Sequence, residues 1–334
     1  MSPRKLYLFV ALALAGGNAL WLTKFDYFNY LYPGTDNLPN EGNNTTTNVR
    51  KKNLTNLSNN NPIYKRFEYH APRSHTFNDT VESSCGEAPE YKEWFAQNMK
   101  QRSANNEDRD VYNRLFRPFL EGNKTSLSTT DFTYLEIGAF NGIRESNTRF
   151  FDKCLGWSGL LVEGNPNKQI WNELIENRPT AHRMHFAASC PEHEAHNATI
   201  PFFKSPYTNA GQSVGVISAY TNTSVQQIPM PCGSLTPFIQ DLLGGRVSFM
   251  SLDVEGAEPY ILQHLDFTKV IIDVMIIENY NSLCPRDGVC QSRNMFRDLM
   301  EEAGYVRPLQ HQFVRKSDLW FHPESQYLQP LEAK

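Results

Sequence analysis

The stretch Tyr134–Pro166, YLEIGAFNGIRESNTRFFDKCLGWSGLLVEGNP, decides the fold. Two short apolar runs, YLEI and GLLVE, flank a segment long enough for a helix, and each run ends in an acid followed by glycine. Apolar strands alternating with helices predict an α/β domain whose mostly parallel sheet is covered by helices on both faces. In such sheets ligands bind at the carboxyl ends of the strands. Glu136, Gly138, Ala139, Asn141 and Gly142 close the first strand, where small residues let the backbone approach a ligand and turn into a helix.

A glycine turn alone is equally well read as punctuation between strand and helix. Glu163, ending the next strand, adds support, because an acid there can accept both hydroxyls of an adenosine ribose. The loop lacks a full G-x-G-x-x-G and opens on an acid, which favours S-adenosylmethionine over NAD, with Glu136 orienting the ammonium group of the ligand.

The alternation continues outward. Helices are expected near Arg144–Lys153 and Asn167–Asn177, then the strand AHRMHFAAS, a hairpin-like stretch and a helix near Leu235–Leu243. VSFMSLDVEG, a helix over Glu258–Leu265, VIIDVMIIENY, a helix over Ser292–Ala303 and two final strands complete the domain. Asp253 and Glu255 fall at the carboxyl edge of the sheet, and Glu278 follows a nearly continuous apolar strand. Glu258 is explained by the dipole of the helix it begins; Asp253 is not, and clustered acids are costly unless something uses them.

These motifs, with FMSLDVEGAEPYILQHLDF following the opening stretch, resemble the FkbM-type S-adenosylmethionine-dependent methyltransferases over roughly Phe132–Phe321. The resemblance implies a class I, Rossmann-like methyltransferase sheet with an antiparallel last strand, here LWFHPE. It puts Glu136, Gly138, Ala139, Asn141, Gly142, Ser146, Glu163 and Asn165 in the cofactor pocket and Asp253, Glu255 and Glu278 near the transferred methyl group. Phe140 departs from the family pattern, which has Asn or a small residue there, and could narrow the pocket. The family includes luminal single-pass proteins similar to the insect Star protein, so a non-catalytic adaptor on a methyltransferase-like scaffold is the alternative to an enzyme.

Methyl transfer to a hydroxyl needs a positioned acceptor and a base. Asp253 is the preferred base or metal ligand, with a glycan or small-molecule hydroxyl as acceptor. Asp253, Glu255 and Glu278 could hold a hard divalent ion, although an ion-free hydrogen-bond network is the favoured reading. His185 and His264 are weaker candidates for the base. Asp108-Arg109-Asp110 is a literal D-x-D of the kind a glycosyltransferase would use, but its charged setting reads as a solvated turn.

Residues 83–130 read as a helical extension, with Tyr91, Trp94, Phe95 and Met99 and then Val111, Leu115 and Phe119 apolar. Residues 23–82 read as a disordered, solvated stem, rich in Asn and Thr from Gly34 to Pro62. Leu6–Leu22 is a run without a formal charge, about 25 Å long as a helix, preceded by Arg4 and Lys5. It predicts a signal anchor with residues 1–5 cytosolic: a single-pass type II membrane protein of the secretory pathway, in the endoplasmic reticulum or Golgi, with a luminal domain. Ala13-Leu14-Ala15 leaves a cleaved signal peptide open.

Eight Asn-x-Ser/Thr sequons, at Asn43, Asn44, Asn53, Asn56, Asn78, Asn123, Asn197 and Asn222, agree with export. So do six cysteines, an even number. Local spacing proposes only Cys284 with Cys290, and no Cys-x-x-Cys supports zinc. Lys+Arg 32 against Asp+Glu 36 gives a net charge of −4, which argues against nucleic-acid binding; a luminal protein partner is compatible with the reading. A mean hydropathy of −0.52 excludes a polytopic membrane protein.

Overall fold

The computed structural model describes residues 66–73, 83–122, 132–191, 198–203, 227–279 and 291–328. All of them belong to one compact unit, Lys52–Lys334. Its centre is a seven-stranded sheet formed by β1 (Glu68–His70), β2 (Thr133–Ile137), β3 (Ser158–Glu163), β4 (His182–His185), β7 (Arg246–Leu252), β8 (Ile271–Glu278) and β9 (Ser317–Phe321). The order is β1-β4-β3-β2-β7-β8-β9, parallel except for the edge pairs β1 with β4 and β8 with β9. A separate antiparallel hairpin pairs β5 (Thr199–Phe203) with β6 (Gln227–Pro231). The antiparallel last strand agrees with expectation.

Alternation along the strands divides the core into two layers. Leu135, Ile137, Leu160, Val162, Met250 and Leu252 face Phe238 and Ile239 of α6 (Thr236–Leu243), Ile261 and Leu262 of α7 (Glu258–Gln263) and Phe296 and Met300 of α8 (Gln291–Glu302). Tyr134, Leu161, Phe249, Val274 and Ile276 face Phe150 and Phe151 of α4 (Arg149–Lys153) and Trp171 and Leu174 of α5 (Lys168–Asn177). On this second layer lies the extension: Trp94 of α1 (Lys92–Phe95), Val111 of α2 (Glu107–Val111), then Leu115 and Phe116 ahead of α3 (Arg117–Gly122). Both faces of β2, β3 and β7 are covered, which is why they read as mostly apolar runs.

Several expectations change. The helix expected from Arg144 begins at Arg149, because residues 144–148 are spent as a loop pinned by Glu136. The span read as stem contains β1, whose register Glu68↔His185, Tyr69↔Met184 and His70↔Arg183 is set by β4, and beside it Phe67 is buried. The pairs Cys85–Cys154 and Cys190–Cys232 are bridged; Cys284 and Cys290 lie outside the described residues, as do the asparagines of all eight sequons.

The expected membrane anchor is corrected. Among the described residues no helix is long and apolar enough to cross a membrane. The longest, α8, has 12 residues, about 18 Å against a hydrocarbon core of roughly 30 Å. Leu6–Leu22, on which the anchor rested, lies outside the described residues. With it go the type II topology, the membrane as a partner and the secretory-pathway placement.

Candidate functional site

Strand order reverses between β2 and β7: from β2 the chain crosses to β3, and from β7 it crosses the other way to β8. A crevice at the carboxyl ends is expected at such a switch point. A cavity of about 340 Å³ lies there. One end is walled by Val162, Glu163, Phe186, Ile200 and Phe202, the other by Asp253, Glu255 and Tyr260. Gly138, Ala139, Phe140, Glu145 and Ser146 line it between.

Gly138 has a φ of +88°, and a Cβ there would come 1.8 Å from the carbonyl oxygen of Asp253. Two chain segments therefore meet at the cavity floor only because this residue has no side chain. Phe140, Glu145 and Glu255 also adopt left-handed backbone, at φ 47°, 61° and 57°. Such strain in residues with side chains gathers where structure serves a site.

Glu163 accepts the backbone N–H groups of Phe140 at 2.5 Å and Asn165 at 2.6 Å, one on each carboxylate oxygen. Burial pushes its pKa up, and the amides of Asn165, Phe140 and Gly164 oppose that. A carboxylate has about four acceptor positions, and with the amides of Phe140, Gly164 and Asn165 on three of them this anchored group keeps capacity for one hydroxyl. Ser146 lines the cavity while its hydroxyl donates to Glu136 at 2.8 Å.

Glu136 itself does not line the cavity. Alternation puts it on the face of Tyr134, opposite Ile137. There it accepts from Asn147 N at 2.7 Å and Thr148 Oγ1 at 2.7 Å, with Arg178 Nη1 3.6 Å away. Asn141 likewise stands behind the loop, accepting from the amides of Ile143 and Arg144 at 3.2 and 3.0 Å. Gly142 sits against Arg178 and Leu174, and Asn165 accepts His185 Nε2 at 2.7 Å through its carbonyl oxygen.

Register brings the acids together. Leu252 pairs with Ile277, so Asp253 and Glu278, one residue on, are neighbours. One carboxylate oxygen from each of Asp253, Glu255 and Glu278 lies within 4.8 Å of the others. Burial raises the pKa of both Asp253 and Glu278, and Glu278 rises further under the charge of Asp253 and their shared hydrogen bond. The proton accordingly stays on Glu278, which donates to Asp253. Glu255 is pushed up to about 7 by burial and by Asp253, Glu258 and Glu145, with Lys316 opposing. Glu258, the first residue of α7, holds the turn before it by accepting the amides of Val254 at 3.0 Å and Gly256 at 3.2 Å. Glu278 Oε2 is buried without a hydrogen-bond partner, and the oxygen set is one that could hold a hard divalent cation.

Other candidates are structural. His185 stacks on Trp171 at 4.7 Å. Asp108 is fully buried, accepts Trp94 Nε1 at 3.2 Å and pairs with Arg102 at 3.5 Å, so its D-x-D is no solvated turn. Sequence reasoning missed Ala187, Ala188 and Ser189 beyond β4, the hairpin residues Ile200 and Phe202, and Tyr260. The small residues closing HFAAS repeat the signature of the first strand end and could have marked that edge. The hairpin carries no such mark.

The mostly parallel sheet with its cavity at the switch point is a Rossmann-like methyltransferase fold. Residues 136–307, just over half of the chain, match the Methyltransferase FkbM domain, and the chain belongs to that family. No curated protein matches the sequence. Among solved structures the chain is similar to Aeropyrum pernix fibrillarin in complex with natively bound S-adenosyl-L-methionine, at 10% identity over 65% of this chain and 75% of that one, with a TM-score of 0.29. It is similar to a SAM-dependent methyltransferase from Aquifex aeolicus at 11% identity, over 64% and 92%, with a TM-score of 0.29. Precorrin-6y C5,15-methyltransferase from Geobacter metallireducens is 11% identical over 59% and 80%, with a TM-score of 0.24.

Proposed function

We propose that the chain is an S-adenosylmethionine-dependent methyltransferase acting on a hydroxyl of a glycan or small molecule, its catalytic domain spanning residues 131–325. The observation that carries this reading is a single cavity with an anchored acid, Glu163, at one end and Asp253 and Glu255 at the other. The donor would supply a methyl group made electrophilic by its positive sulfur.

Glu163 is suited to hold a ribose hydroxyl, and Val162, Phe186, Ile200 and Phe202 give the adenine an apolar wall that excludes water. At the far end Glu255, with a pKa near 7, can take the acceptor proton at neutral pH. As the acceptor oxygen bonds to carbon and the carbon–sulfur bond breaks, the hydroxyl proton passes to that carboxylate. Asp253, occupied by the proton it shares with Glu278, is left to orient the acceptor.

Calorimetric titration of the protein with S-adenosylmethionine tests the reading. Saturable binding is expected, weakened at least tenfold in Glu163→Ala while the thermal melt still shows a folded protein. Folded wild-type protein that gives no heat would make the domain a non-catalytic scaffold.

A further inference from the structure

We infer that the Cys190–Cys232 disulfide is a redox-sensitive clip on one wall of the cavity: intact, it holds the hairpin β5–β6 against the strand ends, and reduced, it frees that wall and weakens donor binding. The consequence for the donor rests on the donor-site reading of the cavity; the clip itself does not. The hairpin is a sheet of its own and shares no ladder with the seven strands. Its Ile200 and Phe202 nevertheless wall the cavity at the end where Glu163 stands. These two side chains belong to neither layer of the main core and pack on a small third cluster, whose buried members are Ala187, Cys190 and Cys232. The bridged cysteines are thus most of what the wall rests on.

Hydrogen bonds gather at the base of the hairpin. Ala187 donates its N–H to the Pro231 carbonyl at 2.9 Å and accepts from Gly233 N at 3.1 Å, while Arg66 Nη2 donates to the carbonyls of Cys232 at 2.6 Å and Ala198 at 3.0 Å. A pair of strands held along one row of bonds can still pivot about it. The disulfide adds a covalent point away from that row, at Cys190, three residues past Ala187, joined to Cys232 across a sequence separation of 42. The bond from Cys190 N to the Gly233 carbonyl is long, 3.4 Å. Phe202 meets the loop after β3 at Gly164, where a Cβ would come 2.7 Å from its ring, and a pivot breaks that contact.

A reductant can reach the bond. Cys190 keeps 7% of its surface exposed, and Ser189, which lines the cavity, has its hydroxyl 3.8 Å from the Cys232 sulfur. Reduction takes two electrons and two protons from a dithiol: its thiolate attacks the Cys190 sulfur, the bond to Cys232 breaks, and its second thiol releases Cys190 as the reagent closes to a cyclic disulfide. Linkage makes the effect reciprocal, so the donor protects the bridge by the same factor by which reduction weakens the donor.

The test compares the whole chain before and after dithiothreitol, with thiol labelling and mass spectrometry to show that Cys190 and Cys232 are free. On reduction, hydrogen exchange is expected to rise at least tenfold at the amides of residues 199–203 and 227–231 and to stay within twofold in β2 and β7. The affinity for S-adenosylmethionine, read by calorimetry, should fall at least tenfold, and saturating donor should lower the reduction potential of the pair by about 30 mV for that tenfold effect. Cys190→Ala with Cys232→Ala should show the raised exchange and the weak binding without reductant. The response to dithiothreitol should persist in Cys85→Ser with Cys154→Ser, which removes the other described bridge. Unchanged hairpin exchange once both thiols are labelled, or a bridge that dithiothreitol does not open in the folded protein, would overturn the clip. Raised exchange with donor affinity held within twofold would overturn its control of the donor. Oxidised protein that binds no S-adenosylmethionine would overturn the donor reading and that control together, while the exchange data still decide the clip.

Discussion

Gly138 is the residue whose replacement separates a packing role from a site role. Alanine there meets two penalties, a left-handed φ of +88° and a Cβ 1.8 Å from the Asp253 carbonyl oxygen. Backbone cannot yield as a flexible side chain can, so β2 and β7 must part at the cavity floor. Gly138→Ala is expected to cost about 2 kcal/mol or more and to abolish donor binding, read by urea unfolding and calorimetry. Glu255 gives a second residue-scale prediction. Its folded pKa of about 7 lies above the 4.5 of an ordinary glutamate, so its contribution to stability is full below that value and is lost as pH rises toward 7. Glu255→Gln should therefore melt about 2 °C or more above the wild type at pH 7.5 and show little advantage at pH 4.5. At this scale the sequence made Glu163 and Asp253 legible, because a strand end places an acid whatever surrounds it. The duty of Glu136 was not legible: which face of β2 it occupies depends on register, and its partners lie ten to twelve residues away on a loop that looked helical.

Elements were legible where local chemistry sets them. Asn167 caps α5 by accepting the amide of Gln169 at 3.0 Å, so a helix expected from Asn167 to Asn177 is found at Lys168–Asn177. β1 was not legible, since three residues of mixed polarity become a strand only against β4. What holds the loop after β2 is likewise non-local. Arg178, just past α5 and fully buried, donates to Asp152 at 2.6 Å, Tyr134 at 2.9 Å, Ser146 at 3.1 Å, Thr148 at 3.2 Å and the Gly142 carbonyl at 3.3 Å. Removing the cation strands Asp152 and Glu136 in the core. Arg178→Met should cost ~3–5 kcal/mol in urea unfolding, and donor affinity should fall with it, because Ser146 lines the cavity. A variant of unchanged stability would show that the two acids find other partners.

At the scale of the whole molecule, the extension buttresses the site. Glu145, on the cavity wall, donates its backbone N–H to the Met99 carbonyl at 3.1 Å and bridges Ser103, while Arg149 Nη1 donates to the Gln101 carbonyl at 2.5 Å. Cys85–Cys154 joins this extension to the end of α4 across a sequence separation of 69. A cross-link of that span restricts the unfolded chain, and losing one commonly costs ~2–5 kcal/mol. If the extension only covered the apolar faces of Phe150 and Phe151, its loosening would lower stability and leave the cavity untouched. Because it holds the strained Glu145 instead, the double variant Cys85→Ser with Cys154→Ser should unfold at lower urea and also bind S-adenosylmethionine several-fold more weakly under conditions where it remains folded. Unchanged affinity in that folded state would reduce the extension to a cover for the core.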